Sequence, residues 1–213
     1  MAEKKTPTRQ LLIETAGELF AEHGFAATSV KMIAEKSHQN IAAVNYHFGS
    51  KHNLLNEALK FVLQKIMTPV QISDKAARHH AEIEVELALF ISERTRFLLS
   101  PKTPKWYGEL IIRAVIDAPD DMKKENIAIL SPDFDYLENL ARRYVKQLST
   151  DNARRWAYSV VGQIFFYVLG RNMILIANEM PTYSKEYISR VTEQVTETAI
   201  QWLKYRKQEE SKE

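Results

Sequence analysis

The sequence predicts an all-α protein, with short helices packed at the N-terminus and longer ones after them. Three observations carry this expectation. Across 213 residues there are 6 glycines and 7 prolines, too few for the frequent turns of a strand-rich chain. The apolar residues, 45% of the total, recur at helical rather than alternating spacing. Beyond Pro69, the breaks at Pro101, Pro104, Pro119, Pro132 and Pro181 separate stretches of helical length.

The elements follow in order. Leu12, Ala16, Leu19 and Phe20 form the stripe of a surface helix. Gly24 suits the left-handed residue just past its end, with Phe25 packing back on the helix. Thr28 or Ser29 caps a short second helix that carries Val30, Ile33 and Ala34. Ser37-His38-Gln39-Asn40 breaks that pattern. Asn40 is the N-cap of a third helix over about 41–48. Gly49-Ser50 ends it and starts a fourth running to about Met67. Two helices joined by a four-residue turn make a helix-turn-helix. Further helices are expected near 76–99, 104–117, 121–130, 132–148, 151–179 and 183–207, with a charged tail after them.

Several function classes fall away. With no cysteine there is neither a disulfide scaffold, a thiol nucleophile nor a Cys-ligated metal site. The charged start Met1-Ala2-Glu3-Lys4-Lys5 lacks the apolar core of a signal peptide. The most apolar run, Ala157 to Leu169, is too short and too polar to span a bilayer, so a cytoplasmic protein with no membrane partner is expected. His79 and His80 are adjacent, which points their rings to different faces and favours solvation over metal binding. Glu82, Glu84 and Glu86 read as a solvated face, and Asp133 and Asp135 as caps of a helix starting after Pro132. No nucleophile–base pair, metal set or glycine-rich phosphate loop supports an enzyme, and no cofactor is implied.

The most informative stretch is Thr28 to Lys51, TSVKMIAEKSHQNIAAVNYHFGSK. In its second helix Ala42 and Ala43 are small, while Asn45, Tyr46 and His47 set polar groups beside Val44 and Phe48. A helix entering the major groove of DNA needs this character. Gly49-Ser50-Lys51 offers a helix start, a hydroxyl and an ammonium to a phosphate. Charge is no guide: residues 1–51 hold six Lys/Arg and five Asp/Glu, leaving 23 against 22 in the rest of a chain of net charge +2. Affinity for DNA would rest on the placement of Lys4, Lys5, Arg9, Lys31, Lys36 and Lys51, and on dimerisation.

Over residues 6–66 the sequence resembles the DNA-binding domain of the tetracycline-repressor (TetR) family of bacterial regulators. The resemblance is carried by Phe20-Ala21-Glu22-His23-Gly24-Phe25, Ala27-Thr28-Ser29-Val30, Ile33-Ala34, Asn45-Tyr46-His47-Phe48-Gly49-Ser50-Lys51 and Leu54-Leu55. Ser37-His38-Gln39-Asn40 departs from the family's commonest turn, and the resemblance implies that His38, at the usual glycine position, must tolerate an unusual backbone angle. Gln39-Asn40-Ile41-Ala42-Ala43, and more softly Lys105-Trp106-Tyr107 and Ser159–Tyr167, are similar to the CecR-like subgroup. The resemblance implies that Asn40, Ile41, Ala42 and Asn45 approach base edges. It implies that Tyr46, His47 and Lys51 hold phosphates, with Thr28 adding a phosphate contact. It further implies a double-stranded operator as partner and a helical ligand-binding and dimerisation domain over 67–213.

In that second region Trp106, Tyr107, Arg113, Phe134, Gln163, Phe166 and Tyr167 are the candidates for a small-molecule pocket, against the plainer alternative that they are core. Two readings of an effector stay open: a ligand-responsive repressor, or a constitutive DNA-binding regulator without one. The run 155–177 is apolar on nearly all sides, as befits either a core helix or one shared with a second subunit. With Val191, Val195, Ala199 and Leu203 of the last helix, it is expected to form a homodimer through about 151–179 and 183–207.

Overall fold

The computed structural model describes residues 7–66, 71–74 and 82–211, and all the regular structure among them is helical. His79 and His80, and the cations Lys4 and Lys5, lie outside the described residues. The helices are α1 (Thr8–Ala27), α2 (Val30–Lys36), α3 (Ile41–Phe48), α4 (Lys51–Leu63), α5 (Ile83–Leu99), α6 (Lys105–Ile116), α7 (Asp120–Tyr144), α8 (Thr150–Leu169), α9 (Arg171–Ala177) and α10 (Lys185–Glu210). A helical turn covers 71–74. The chain forms two compact units, one of residues up to Lys65 with Pro104–Ile129, the other of Ile66–Thr103 with Leu130–Glu213. This grouping departs from the expected boundary near residue 66, because α6 and the start of α7 belong with the first four helices.

In the first unit α1 packs against α4 and α6. Leu12, Ala16, Leu19 and Phe20 of α1, Ile33 of α2, Val44 of α3 and Leu54, Leu59 and Val62 of α4 are all buried. Each such leucine, isoleucine or phenylalanine contributes about 1.5–3 kcal/mol, enough together to fix the short helices that would not hold alone. As expected, Gly24 takes a positive φ of 80° and kinks α1, and Phe25 stacks on Phe20 with ring centroids 5.8 Å apart. The kink frees carbonyls that Arg113 of α6 collects: its Nε donates to Ala21 O at 3.3 Å and its Nη2 reaches Glu22 O at 3.4 Å. Trp106 lies across Gly17, where a Cβ would stand 2.3 Å from the indole, and its other face stacks on Phe61.

The second unit is organised by α10. Its stripe of Val191, Val195, Ala199 and Leu203 is buried against α5 and α8 of the same subunit. The stripe expected to face a second subunit is therefore spent inside this one. Trp156 of α8 donates its indole N–H to Ala199 O at 3.1 Å, and Thr95 of α5 meets Thr192 of α10 at 2.6 Å.

Three expectations change here. The helix does not break at Pro132, which lies inside α7. Asp133 is consequently mid-helix and not a cap. Both of its oxygens bind Arg94 of α5, at 2.6 and 2.7 Å, and little of Arg94 is exposed. Glu86 is not solvated either. It is 3% exposed and accepts from Ser73 at 2.8 Å, Tyr136 at 2.9 Å and Arg143 at 3.0 Å. Burial alone would raise its pKa, but these hydrogen bonds and the Arg143 charge outweigh it and hold the carboxyl below the ordinary value. Thirdly, the run 151–179 is two helices, α8 and α9, bent by 69° at Gly170. No single helix among the described residues is long and apolar enough to cross a membrane.

Candidate nucleic-acid interface

Local hydrogen bonds set the geometry of α2, α3 and α4. Ser29 caps α2 by accepting from Met32 N at 3.1 Å, and Ser50 caps α4 by accepting from Asn53 N at 3.1 Å. Asn40 caps α3, its Oδ1 accepting from Ala43 N at 2.7 Å. Between α2 and α3, the Ser37 hydroxyl donates to Ile33 O at 2.7 Å and Gln39 N closes on Ala34 O at 2.9 Å. His38 sits at φ 54°, the left-handed conformation that its place in the turn demands.

With its ends fixed, α3 has one possible orientation. Val44 and Phe48 are buried at 1% and 6% exposure and seat the helix on the unit's core. The opposite face presents Ile41 at 46% and Tyr46 at 85% exposure, with Ala42 and Asn45 exposed between them. His47 is half-buried, its ring edge-on to Tyr46 at 5.1 Å and tilted toward Phe48 at 6.0 Å. Large apolar and aromatic groups held in solvent by a rigid two-residue anchor are unusual for a purely structural helix.

The expected phosphate ligands divide. Thr28 is fully buried; its hydroxyl donates to Gly24 O at 2.8 Å, with Leu19 O at 3.1 Å. It closes the kink of α1 and is not available to a phosphate. Lys51 is committed differently from the expected free ammonium. Its Nζ donates to Phe25 O at 2.8 Å and Thr28 O at 2.9 Å and lies 4.1 Å from the centroid of the Phe25 ring. Burial lowers its pKa. Lysine here ties the first turn of α4 to the α1–α2 connection. Among the other cations, Arg9 pairs with Glu57 beside the Phe48 ring, Lys36 pairs with Glu18 at 3.1 Å, and Lys31 is loosely matched to Glu35 at 3.8 Å.

The seven pocket candidates fall in both units. Trp106, Tyr107 and Arg113 belong to the first unit and Phe134, Gln163, Phe166 and Tyr167 to the second. Trp106 and Arg113 are occupied with α1, as described above, and Tyr107 packs edge-on to Trp106 and Phe61. Phe134 meets Tyr158 at 5.3 Å, and the Gln163 amide donates to Ser159 O within its own helix. Phe166 is 53% exposed, while the Tyr167 carbonyl accepts from Tyr183 at 2.8 Å. A cavity of about 380 Å³ in the second unit lies elsewhere, between α8 and α10, lined by Arg155, Trp156, Ser159, Thr198, Trp202 and Arg206 among others.

Residues 12–58 match the model of the bacterial regulatory proteins of the tetR family. Residues 83–203 match the C-terminal domain of the HTH-type transcriptional dual regulator CecR, a span of more than half the chain. The chain belongs to the TetR family, in its CecR-like branch. The family is one of bacterial regulatory proteins. The CecR regulator of Shigella flexneri is 24% identical over 204 residues, 92% of this chain and 91% of that one. The repressor AcnR of Corynebacterium glutamicum is 38% identical over 52 residues, 24% of this chain and 28% of that protein; the matched segments span only 23% to 42% of several such curated relatives. The solved structure of AibR in complex with isovaleryl coenzyme A and operator DNA has the same fold, with a TM-score of 0.68 at 13% identity, covering 89% of this chain and 96% of that one. In this TetR-family regulator the helix-turn-helix is thus α2 and α3, and the roles of Arg113 and Trp106 in bracing α1 are those that sequence reasoning missed. Their partners lie 89 to 92 positions away, so no local pattern announces them.

Proposed function

We propose that this regulator is a repressor that binds a near-palindromic operator as a homodimer and responds to a small-molecule effector in the cytoplasm. Residues 6–66 would read DNA, and 67–213 would supply dimerisation and effector response. Each subunit would lay α3 in one of two successive major grooves about 34–36 Å apart. The observation that carries this reading is the face of α3: Ile41, Ala42, Asn45 and Tyr46 stand in solvent on a helix capped by Asn40 and anchored by Val44 and Phe48. Ile41, Ala42 and Asn45 would meet base edges. Tyr46 and His47 would meet phosphates, Asn40 would contribute only the N–H₂ its cap leaves over, and Lys51 would act by holding the start of α4.

A second copy of the chain is the partner that the second unit favours. Tyr158, Phe166, Leu169, Met173 and Ile176 are 53–78% exposed and follow one another at helical-face spacing along α8 and α9. Gly162, on the same side of α8, has nothing within 4 Å of where its Cβ would be, which suits close approach of another helix. Exposed apolar groups of this size on both helices flanking the bend at Gly170 are typical of a subunit interface. A constitutive regulator is the second reading, favoured by the engaged state of Trp106, Tyr107 and Arg113.

Selection of bound duplexes from a random library tests the proposal. The expected product is an inverted repeat whose half-site centres are about 10 base pairs apart, bound by a dimer in sedimentation experiments. Enrichment of no sequence, or of a single unrepeated site by a monomer, would overturn it. Release of that operator by any compound from a small-molecule screen supports the effector; operator binding that none relieves supports the constitutive reading.

A further inference from the structure

Asparagine reads adenine with both ends of its amide, the oxygen accepting from N6–H₂ while the nitrogen donates to N7. Three asparagines lie on or beside α3, and only one has both ends to offer. Asn40 spends its Oδ1 on Ala43 N at 2.7 Å. Asn53 spends its Nδ2 on Phe48 O at 3.0 Å. The exposed Asn45 side chain has no partner among the described residues. One turn earlier on the same face stand Ile41 and Ala42, at the i−4 and i−3 positions, so a branched methyl surface borders the amide.

What α3 lacks is equally informative. Its eight residues, Ile-Ala-Ala-Val-Asn-Tyr-His-Phe, contain no arginine, lysine, aspartate or glutamate. A bidentate Arg or Lys on guanine O6 and N7 is the commonest specific base contact, and a carboxylate is the usual acceptor for cytosine N4. Of the nearby cations, Lys51 is turned into two carbonyls and Lys36 is paired with Glu18.

We infer that α3 reads an A·T step at the core of each half-site. Asn45 makes the bidentate contact to adenine, Ile41 packs on the methyl of the neighbouring thymine, and Ala42 permits the close approach. This rests on the DNA-reading role proposed above and adds what is read.

The test uses the full-length protein and the operator recovered by library selection, with binding followed by fluorescence anisotropy. The expected core holds adenine and thymine at adjacent positions. Replacing the core adenine by 7-deazaadenine, which lacks the N7 acceptor, should weaken wild-type binding about tenfold or more and leave Asn45→Ala indifferent. Replacing the core thymine by uracil, which lacks only the methyl, should weaken the wild type by about threefold to fourfold and leave Ile41→Ala indifferent. Both side chains are exposed, so unchanged melting curves are expected for the variants. A guanine-dominated core, or an Asn45→Ala protein that still senses 7-deazaadenine as the wild type does, would overturn the inference while leaving DNA reading intact. Failure to bind any duplex would instead remove the DNA-reading role itself, and the inference with it.

Discussion

The two units of this regulator orient their polar groups by different means. In the first, the groups around α3 are held by bonds of short reach: Ser29 to Met32, Asn40 to Ala43, Ser37 to Ile33, Ser50 to Asn53. Each costs little to form because its partners are already neighbours along the helix. In the second, the buried polar groups meet across long stretches of chain: Arg94 with Asp133, Glu86 with Arg143, Thr95 with Thr192. A surface that must present an undistorted face to a rigid duplex gains from local caps, which do not depend on how the rest of the molecule is arranged. A body whose helices must be held in one of a small number of packings gains from ionic contacts that are satisfied only when distant helices meet correctly.

The largest effect that can break this comparison is loss of one long-range partner. Asp133→Ala would leave the Arg94 guanidinium, only 5% exposed, without the carboxylate that takes both its Nε and Nη2 bonds. The expected cost is about 3 kcal/mol, read from the urea midpoint, with the helix content of the first unit unaffected at denaturant concentrations where the second has opened. A loss below about 1 kcal/mol would mean that the second unit does not rely on its buried ions.

The same distinction decides what was legible. Caps and turns are written in residues three or four apart, so Asn40, Ser50, Gly24 and the strained His38 all stand where their neighbours in sequence place them. The face of α3 was legible for the same reason, since a period of 3.6 residues puts Val44 and Phe48 on one side and Asn45 and Tyr46 on the other. Thr28 and Lys51 were not. A hydroxyl or an ammonium beside a helix start can face a phosphate or turn inward to a carbonyl, and the choice is made by the kink at Gly24 and the Phe25 ring, neither of which the residue type encodes. Glu86 was misjudged because a charge in an amphipathic pattern looks solvated until a helix 57 positions away covers it. Asp133 was misjudged because a carboxylate just after a proline looks like a helix cap, whereas α7 runs through Pro132 and an arginine 39 positions away takes the carboxylate.

The first unit has long-range contacts too, among them Arg113 with Ala21 and Glu22 and Lys51 with Phe25 and Thr28, and one of them is steric. Gly17 of α1 leaves the notch that Trp106 of α6 fills, and the indole also lies parallel to the Phe61 ring at 6.5 Å. Gly17→Ala places a methyl 2.3 Å from Cζ3 of the indole. The gain in helix propensity, about 1 kcal/mol, is expected to be outweighed by overpacking, for a net loss of about 1–2 kcal/mol. Quenching or red-shift of the Trp106 fluorescence, isolated in a variant with Trp156 and Trp202 replaced by Phe, would follow the displaced ring. A neutral or stabilising outcome with unchanged emission would show that the Gly17–Trp106 contact does not fix α6 on α1.

The smallest expected effect sharpens the comparison by pH. Glu86 has a lowered pKa in the folded protein, so its contribution to stability is complete above the ordinary glutamate value near 4.5 and is lost as pH falls through the lower folded-state value. Below both values the carboxyl is protonated in the folded and unfolded chain alike and contributes nothing through its charge. Glu86→Gln removes the titration and keeps an acceptor for Tyr136 and Ser73. The difference in unfolding free energy between wild type and Glu86→Gln should therefore shrink as pH is taken from 6 to 3, by less than about 1 kcal/mol because the Arg143 side chain is 52% exposed and water screens its charge. Exposed acids such as Asp120 and Glu186, which also titrate low, are common to both proteins and cancel in the difference. No comparable pH term should attach to the caps of α2, α3 and α4, which are a serine, an asparagine and a serine. A wild-type-minus-variant difference that stays constant from pH 6 to 3 would remove the ionic character of the Glu86 site, and with it half of the contrast between a reading head fixed by neutral local bonds and a body fixed by charges that meet across the fold.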